Sequence, residues 1–439
     1  MNLNVEVVAD GKIKMKRVCI ITGTRAEYGL LKLIIDKVHR AKDLELNLVV
    51  TGMHLSPEFG LTYKEIEDDG YPITFKVEML LSSDTPVGVT KSMGVALMGF
   101  ADYFEMNKPD IAVVLGDRYE TFMAAAAAMV ARVPIAHIHG GETTEGAMDE
   151  AIRHSITKMS HLHFTATEEY RRRVIQLGEQ PRNVYHVGAL GIENIKRLKL
   201  FEKGELEKAI GFSFGKSTIM VTYHPVTLEN VTARTQFGNI LEVLDAHKDL
   251  YVIFTKANAD MDGRIINRMI DDYVSEHTER CVAFTSMGQV RYFSALQFCD
   301  AVIGNSSSGI IEVPSFGIPT VNIGDRQKGR IHADSVIDCG NAGEQIERAL
   351  TMALSAEFRK AAKQTTNPYE GEFTSDKIWS APSASIPRNT GSRFRKAASS
   401  TAQMVLSVMR PLCVPTVRSP CGSWSCSCGS TAIFRTSEF

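Results

Sequence analysis

Short β-branched apolar runs, each followed by a polar turn and a stretch of helical periodicity, recur along most of this chain. Residues 18–22 form the first run and lead through GTRAEYG (23–29) into a helix reaching about residue 39. Strands are predicted at 44–51 and 73–77, with helix and turn over 56–70 between them, then a helix at 88–106. The run 111–115 ends in Gly116-Asp117-Arg118, and the Ala-rich segment 121–132 is helical by propensity. A second run, 133–138, ends in His137, His139, Gly140, Gly141 and Glu142. A helix starting near Gly146 carries Asp149, Arg153 and His154. A strand at 162–166, a helix at 167–177 and a strand at 184–187 close this half.

A more charged link, 188–213, precedes renewed alternation. Strands are predicted at 218–223, 251–255, 282–285, 301–303 and 320–323, with helices at 235–247, 261–277 and 290–298. Another helix follows GNSSSG (304–309) to about 316, and two late helices run through about 364. Such alternation predicts an α/β fold of two Rossmann-like domains, 16–190 and 191–376, facing a central cleft. In open parallel sheets ligands bind beyond the carboxyl ends of the strands, so the chemistry is expected there.

The 439 residues suit two or three domains, and 44% hydrophobic content supplies sizeable cores. A net charge of −2 argues against nucleic acid or an anionic membrane as partner. No apolar run reaches the roughly 18 residues of a membrane span, and no signal peptide opens the chain. The expectation is a soluble cytoplasmic protein. Cys19, Cys281, Cys299 and Cys339 read as buried small hydrophobes. Cys413, Cys421, Cys426 and Cys428 lack the paired spacing of a zinc site, and no histidine follows His332. Residues 1–15 read as a polar leader, with Met15 as the true start or the leader as a disordered arm. From 377 the composition shifts to Ser, Arg, Pro and Cys, which reads as out-of-frame translation or a disordered extension.

Neither a dinucleotide fingerprint nor a P-loop is present. Asp260-x-Asp262 imitates a metal-binding pair, but its place before a helix favours capping. GNSSSG offers Ser306 and Ser307 to a phosphate at a helix start, although an ordinary serine N-cap fits equally; Glu312, one turn on, suits ribose hydroxyls. Arg326 and Arg330, with Arg25 and Arg118, supply cations for a diphosphate. His224, before Pro225 at a strand end, reads as a phosphate donor or proton-transfer group, or as a structural histidine. Asp117, Glu142 and Asp149 would serve as acid and base if they met, one carboxyl kept protonated by its neighbours. Asp149 and Arg153, four apart, also suit a surface ion pair.

GTRAEYG, LGDR, HIHGGETTEGAMDEAIRH, His224-Pro225, Asn258-Ala259-Asp260, GNSSSGI-E and DRQKGR occur in one order over roughly 16–370. In this the chain resembles the hydrolysing UDP-N-acetylglucosamine 2-epimerases of sialic-acid type. The resemblance implies a GT-B-like fold without metal or cofactor, a nucleotide-sugar ligand and a homodimer or homotetramer. It implies loss of UDP to a glycal, then hydration to free N-acetylmannosamine. By motif it assigns Asp117 and Asp149 as acid–base residues, and Arg25, Arg118, His224, Ser306, Ser307, Glu312, Arg330 and Asn258 as UDP contacts. Family members often carry an acid where this chain has His139. We expect His139 to take that proton-transfer role, with compensation by Glu142 as the alternative. UDP-2,4-diacetamido-2,4,6-trideoxyglucose, of the legionaminic acid route, is an alternative substrate. A GT-B glycosyltransferase would share the UDP site without abstracting the C2 proton. A non-catalytic nucleotide-sugar sensor would not need Asp117 and Asp149.

Overall fold

The computed structural model describes residues 6–7, 13–81, 83, 85–145, 147–226, 232–258 and 262–381. The expected helix start at Gly146, Asp260 of the acidic pair, and the readings of the tail beyond 381, with its four cysteines, lie outside these residues.

Two short strands, β1 (Glu6–Val7) and β2 (Ile13–Lys14), pair antiparallel within the leader that read as unpatterned. Then come β3 (Lys16–Thr22), β4 (Leu44–Thr51), β5 (Ile73–Val77), β6 (Ile111–Leu115), β7 (Ile135–Ile138), β8 (Leu162–Thr165) and β9 (Val184–His186). They form one parallel sheet in the order β5-β4-β3-β6-β7-β8-β9. A second parallel sheet contains β10 (Ser217–Thr222), β11 (Leu250–Thr255), β12 (Cys281–Phe284), β13 (Ala301–Gly304), β14 (Thr320–Ile323) and β15 (Val336–Cys339), in the order β12-β11-β10-β13-β14-β15. The architecture is α/β and GT-B-like, with two doubly wound sheets. Both sheets are buried on two faces, so their strands read as continuous apolar runs: Val18, Ile20, Val113, Val114 and Ile135 have no exposure.

Each sheet reverses its strand order once, at β3/β6 and at β10/β13. These switch points splay the connections apart and open the crevice in which such folds bind ligands. At the second one, Gly304 has φ +136°, and a Cβ there would lie 1.9 Å from the Thr222 carbonyl oxygen. Asn305 then clips the two strand ends together. Its Oδ1 accepts the His224 N–H at 2.7 Å and its Nδ2 donates to the His224 carbonyl at 2.7 Å.

Three readings change. β15, half polar and at a sheet edge, was not legible as a strand. Asp262 stands at the N-cap of the helix Gly263–Glu276 with φ +63° and makes no side-chain cap bond, so capping does not explain it. The boundary at 376/377 falls inside a helix, Thr374–Ser380, which docks on the first sheet's side of the molecule. The Thr374 hydroxyl donates to the Val187 carbonyl, the Ser375 N–H and hydroxyl both donate to Glu193, and Ile378 is 1% exposed within the first core. Ile378→Ala is expected to destabilise the protein by about 2–5 kcal/mol in chemical denaturation, from lost burial plus a residual cavity. A change below about 0.5 kcal/mol, the scale of ordinary surface substitutions, would show that this helix does not dock.

Candidate active site

The strand ends of the two sheets meet through side chains. Arg330, in the loop after β14, is 9% exposed; its guanidinium lies 2.8 Å from Glu142 and donates to the Thr143 carbonyl at 3.2 Å. Thr143 in turn donates to the Gly329 carbonyl, and the Glu145 N–H donates to the Lys328 carbonyl at 3.2 Å. Arg326 lies 3.5 Å from Asp149 and donates to the Asn305 carbonyl at 3.2 Å. Thus Glu142, Asp149, Arg326 and Arg330 come together.

His139 follows β7 and is 7% exposed. Its φ of +64° is unusual for a residue with a Cβ, and such strain persists where the surroundings impose it. The surroundings do so here: its N–H donates to the Phe164 carbonyl at 2.8 Å. Its Nδ1 lies 3.4 Å from Glu142, and its Nε2 is buried without a hydrogen-bond partner. Burial pushes the imidazole below its ordinary value, against the opposing pull of Glu142, so the ring is neutral at physiological pH. His137, by contrast, is structural. It contacts the Gly116 carbonyl at 2.7 Å and Thr157 at 3.2 Å, and burial pushes it to about 3.

The expected protonated member of the acid cluster is not Asp117. Burial acts to raise that carboxyl, but the guanidiniums of Arg153, Arg330 and Arg326 outweigh it and hold it below the usual range. Arg153, 1% exposed, bonds Asp117, lies 3.3 Å from Glu150 and donates to the Glu142 carbonyl at 2.8 Å. The surface Asp149–Arg153 pair is therefore replaced by a buried hub, because the helix Asp149–Met159 turns Arg153 inward. The raised carboxyls lie elsewhere. Glu312, at the end of the helix Ser307–Ile311, is pushed to about 7 by burial, against the Ser308 hydroxyl and Arg330. Glu27 is pushed to about 8 by burial and by Glu120.

The other expected residues line the same edges. Arg25 opens the helix Arg25–Arg40, with Nη1 buried and without a partner. Arg118 donates to Glu120 at 2.6 Å. Ser306 is the N-cap of its short helix, accepting the Ser308 N–H at 3.4 Å, and Ser307 follows it. His224 is 7% exposed at the end of β10, and Asn258 follows β11. Sequence reasoning passed over Arg153 as a buried hub, Asn305, Gln327 (which donates to the Asn305 carbonyl at 2.8 Å), Glu27 and Glu120. For Glu27 a signal was available: Thr24-x-x-Glu27 is a capping box, and both of its bonds are present.

A sequence model described as UDP-N-acetylglucosamine 2-epimerase matches residues 36–382. The chain belongs to the UDP-N-acetylglucosamine 2-epimerase family. It is 42% identical over 345 residues, 79% of this chain and 89% of the relative, to "GDP/UDP-N,N'-diacetylbacillosamine 2-epimerase (hydrolyzing)" of Campylobacter jejuni. It is 40% identical to "Polysialic acid biosynthesis protein P7" of Escherichia coli, over 81% of this chain and 90% of that one. To the "UDP-N,N'-diacetylbacillosamine 2-epimerase (hydrolyzing)" of Legionella pneumophila it is 34% identical, over 83% and 95%. The crystal structure of the UDP-GlcNAc 2-epimerase from Neisseria meningitidis bound to UDP-GlcNAc shares the fold, with a TM-score of 0.68 and 18% identity over 83% of this chain and 98% of that one. Among the described residues of this family member, no group of three or more His, Cys, Asp or Glu side chains is placed to hold a metal ion. No described helix is long and apolar enough to cross a membrane.

The Glu312 carboxyl sets a dependence of stability on pH. In the unfolded chain it ionises near its ordinary 4.5, whereas in the folded protein it keeps its proton to about 7. The folded state binds the extra proton between those values, so this group's contribution falls as pH rises from about 4.5 to 7 and is constant above. Thermal unfolding of Glu312→Gln against wild type across pH 5–8 is expected to show the variant gaining relative stability towards pH 8. Parallel curves would mean that the carboxyl is already ionised at pH 5.

Proposed function

We propose that this protein is a hydrolysing 2-epimerase of a UDP-2-acetamido sugar, and that UDP-N,N'-diacetylbacillosamine (UDP-2,4-diacetamido-2,4,6-trideoxyglucose) is its substrate. The observation that carries the chemistry is the Arg330–Glu142–His139 chain, which ends in a buried, unpartnered Nε2. The sugar is supported by two relatives named as N,N'-diacetylbacillosamine 2-epimerases, at 42% and 34% identity over most of both chains, the first named for GDP or UDP and the second for UDP.

In the proposed reaction His139 Nε2 takes the proton from sugar C2. Glu142, facing Nδ1, fixes the tautomer and stabilises the imidazolium that forms. The C1–O bond breaks and UDP leaves with the anomeric oxygen, giving a C1=C2 glycal. Arg25, Arg118 and Arg330 answer the growing diphosphate charge, with Ser306, Ser307 and His224 as further donors. Glu312 and Asn258 hold the nucleoside. Asp117 and Asp149 then act in the hydration: hydroxide equivalent adds at C1 and a proton returns to C2 on the opposite face. The sum is UDP-sugar plus water giving UDP and the free 2-epimer. The reaction needs no metal and no redox cofactor. We further propose a homo-oligomer in the cytoplasm.

Proton NMR in D2O with UDP-N,N'-diacetylbacillosamine and, separately, UDP-N-acetylglucosamine tests both parts. Release of UDP with deuterium at C2 of the product is expected, with the higher kcat/KM on the diacetamido sugar. A preference for UDP-N-acetylglucosamine would move the assignment to the family's namesake substrate. UDP release without C2 exchange would indicate glycosyl transfer to water instead. UDP binding without turnover would indicate a sensor. His139→Ala is expected to lower kcat by about 10²–10⁴-fold, the usual worth of a positioned general base, with UDP affinity little changed. An active His139→Ala enzyme would shift the base role to Glu142, for which Glu142→Gln is the paired measurement.

A further inference from the structure

Behind the strand ends of the first sheet lies a pair of buried carboxyls that the proposed chemistry does not use. Glu27 and Glu120 are 6% and 1% exposed. Glu27 sits at the third position of the helix Arg25–Arg40, where its Oε2 accepts the N–H groups of Gly23 at 2.7 Å and Thr24 at 3.1 Å. Glu120 lies in the first turn of the helix Tyr119–Val130, and its Oε1 accepts from Arg118 Nε at 2.6 Å. Both acids close around Gly23: a Cβ there would stand 2.6 Å from Glu120 Cγ. The loops after β3 and β6, which carry Arg25 and Arg118, converge on these two side chains, and so does the turn after β4, where a Cβ at Gly52 would lie 3.3 Å from Glu120 Oε1.

One oxygen of each acid, Glu27 Oε1 and Glu120 Oε2, is buried without a hydrogen-bond partner. Two such carboxylates cannot both ionise cheaply at close range in a poorly hydrated site. A proton on one of them relieves the repulsion and leaves a single negative charge for Arg118.

We propose that Glu120 is the positioning residue that orients Arg118 for the diphosphate, and that Glu27 holds a proton so that this buried pair carries one negative charge rather than two. The proposal rests on the reading of Arg118 as a diphosphate contact. Glu120 is enclosed and acts only through the guanidinium whose Nε it holds, so it touches no substrate.

Arg118, from the loop after β6, is the cation that acts on Glu27. Arg25, on the same helix as Glu27, faces Glu65 and Arg291 instead. His54, in the turn Gly52–Leu55, is pushed to about 4 by burial and so neutral; it contacts Thr22 at 3.0 Å and Thr62 at 2.9 Å. Burial and the Glu120 charge push Glu27 to about 8, while Arg118 and the two backbone N–H groups pull the other way. Loss of this proton takes the pair from one negative charge to two. The field at the diphosphate turns more repulsive, so UDP affinity falls as pH rises through about 8. One added charge at roughly 10 Å in a partly hydrated protein changes an anion's affinity by about tenfold.

The experiment is calorimetric titration of the full-length protein with UDP from pH 6.5 to 9.5, with circular dichroism confirming that each variant is folded. Wild type should lose about tenfold in affinity over the alkaline limb. Glu27→Gln, which mimics the protonated acid and keeps an acceptor for the two N–H groups, should show a flat profile. Glu120→Ala and Glu120→Gln remove the same charge, so Glu120→Ala should bind UDP more weakly than Glu120→Gln at every pH because only the glutamine leaves an acceptor for Arg118 Nε, and Arg118→Ala/Glu120→Ala should be no weaker than Arg118→Ala alone. If Arg118→Ala leaves UDP affinity unchanged, the diphosphate reading of Arg118 fails and the proposal falls with it. If Arg118→Ala weakens UDP while Glu120→Ala and Glu120→Gln bind it alike, or if the losses at Arg118 and Glu120 add, positioning by Glu120 is overturned though Arg118 remains a contact. A Glu27→Gln profile that follows wild type overturns the held proton.

Discussion

A guanidinium buried between two sheets has to be answered from both, and Arg330 is. Burial alone would make its charge costly, yet Glu142 and the surrounding hydroxyl and carboxyl groups favour the charged form. Glu142 comes from the loop after β7, whereas Arg330 belongs to the loop after β14. The neighbouring backbone is fixed by a buried tyrosine pair. The Tyr170 and Tyr369 hydroxyls lie 2.8 Å apart, one accepting the Ile331 N–H and the other donating to the Ile331 carbonyl. Breaking a buried ion pair by removing one partner typically costs about 3–5 kcal/mol, more than replacing both. The two halves of the chain are thereby committed to one relative register at the place where a ligand would have to be held.

That commitment governs how charge is divided across the site. Arginines outnumber acids around Asp117, so it is held ionised although part-buried. Glu27 and Glu312, buried with less compensation, are pushed to about 8 and about 7. Carboxyls are thus ionised in one place and protonated in another at one pH, and the difference is set by how many guanidiniums face each group.

Much of this was legible in the sequence, for a definite reason. Strands buried on both faces must be continuous apolar runs, so β3, β6, β7, β10, β13 and β14 announced themselves, and with them the strand-end residues Asp117, His139, Glu142, His224 and Ser306. What failed to show depends on distant parts of the chain. β15 is a four-residue edge strand interrupted by Asp338, whose carboxyl pairs with His332. The helix Thr374–Ser380 is locally polar, and only Val187, Glu193 and the first core reveal what it is for. Arg153 looked like half of a surface pair because spacing along a helix does not say which side faces inward. Glu120 was passed over, standing just before the Ala-rich helix expected from 121. Its burial against Gly23 is set by a loop almost a hundred residues away in sequence.

A histidine rather than a carboxylate as the base after β7 has a physical consequence in the proposed reaction. A carboxylate base would place a negative charge on the loop nearest the sugar, beside a leaving group that is itself gaining negative charge. The neutral His139 ring avoids that repulsion in the ground state and becomes positive on taking the C2 proton, when the diphosphate charge is greatest. Glu142, three residues on, keeps a carboxylate beside the ring, and Arg330 balances its charge. Base strength is thereby supplied by a dyad whose net charge rises as the leaving group's falls. Stabilisation that grows along the reaction coordinate is the only kind that accelerates the chemical step. The left-handed backbone at His139 goes with this placement, which leaves Nε2 without a partner while Nδ1 faces Glu142.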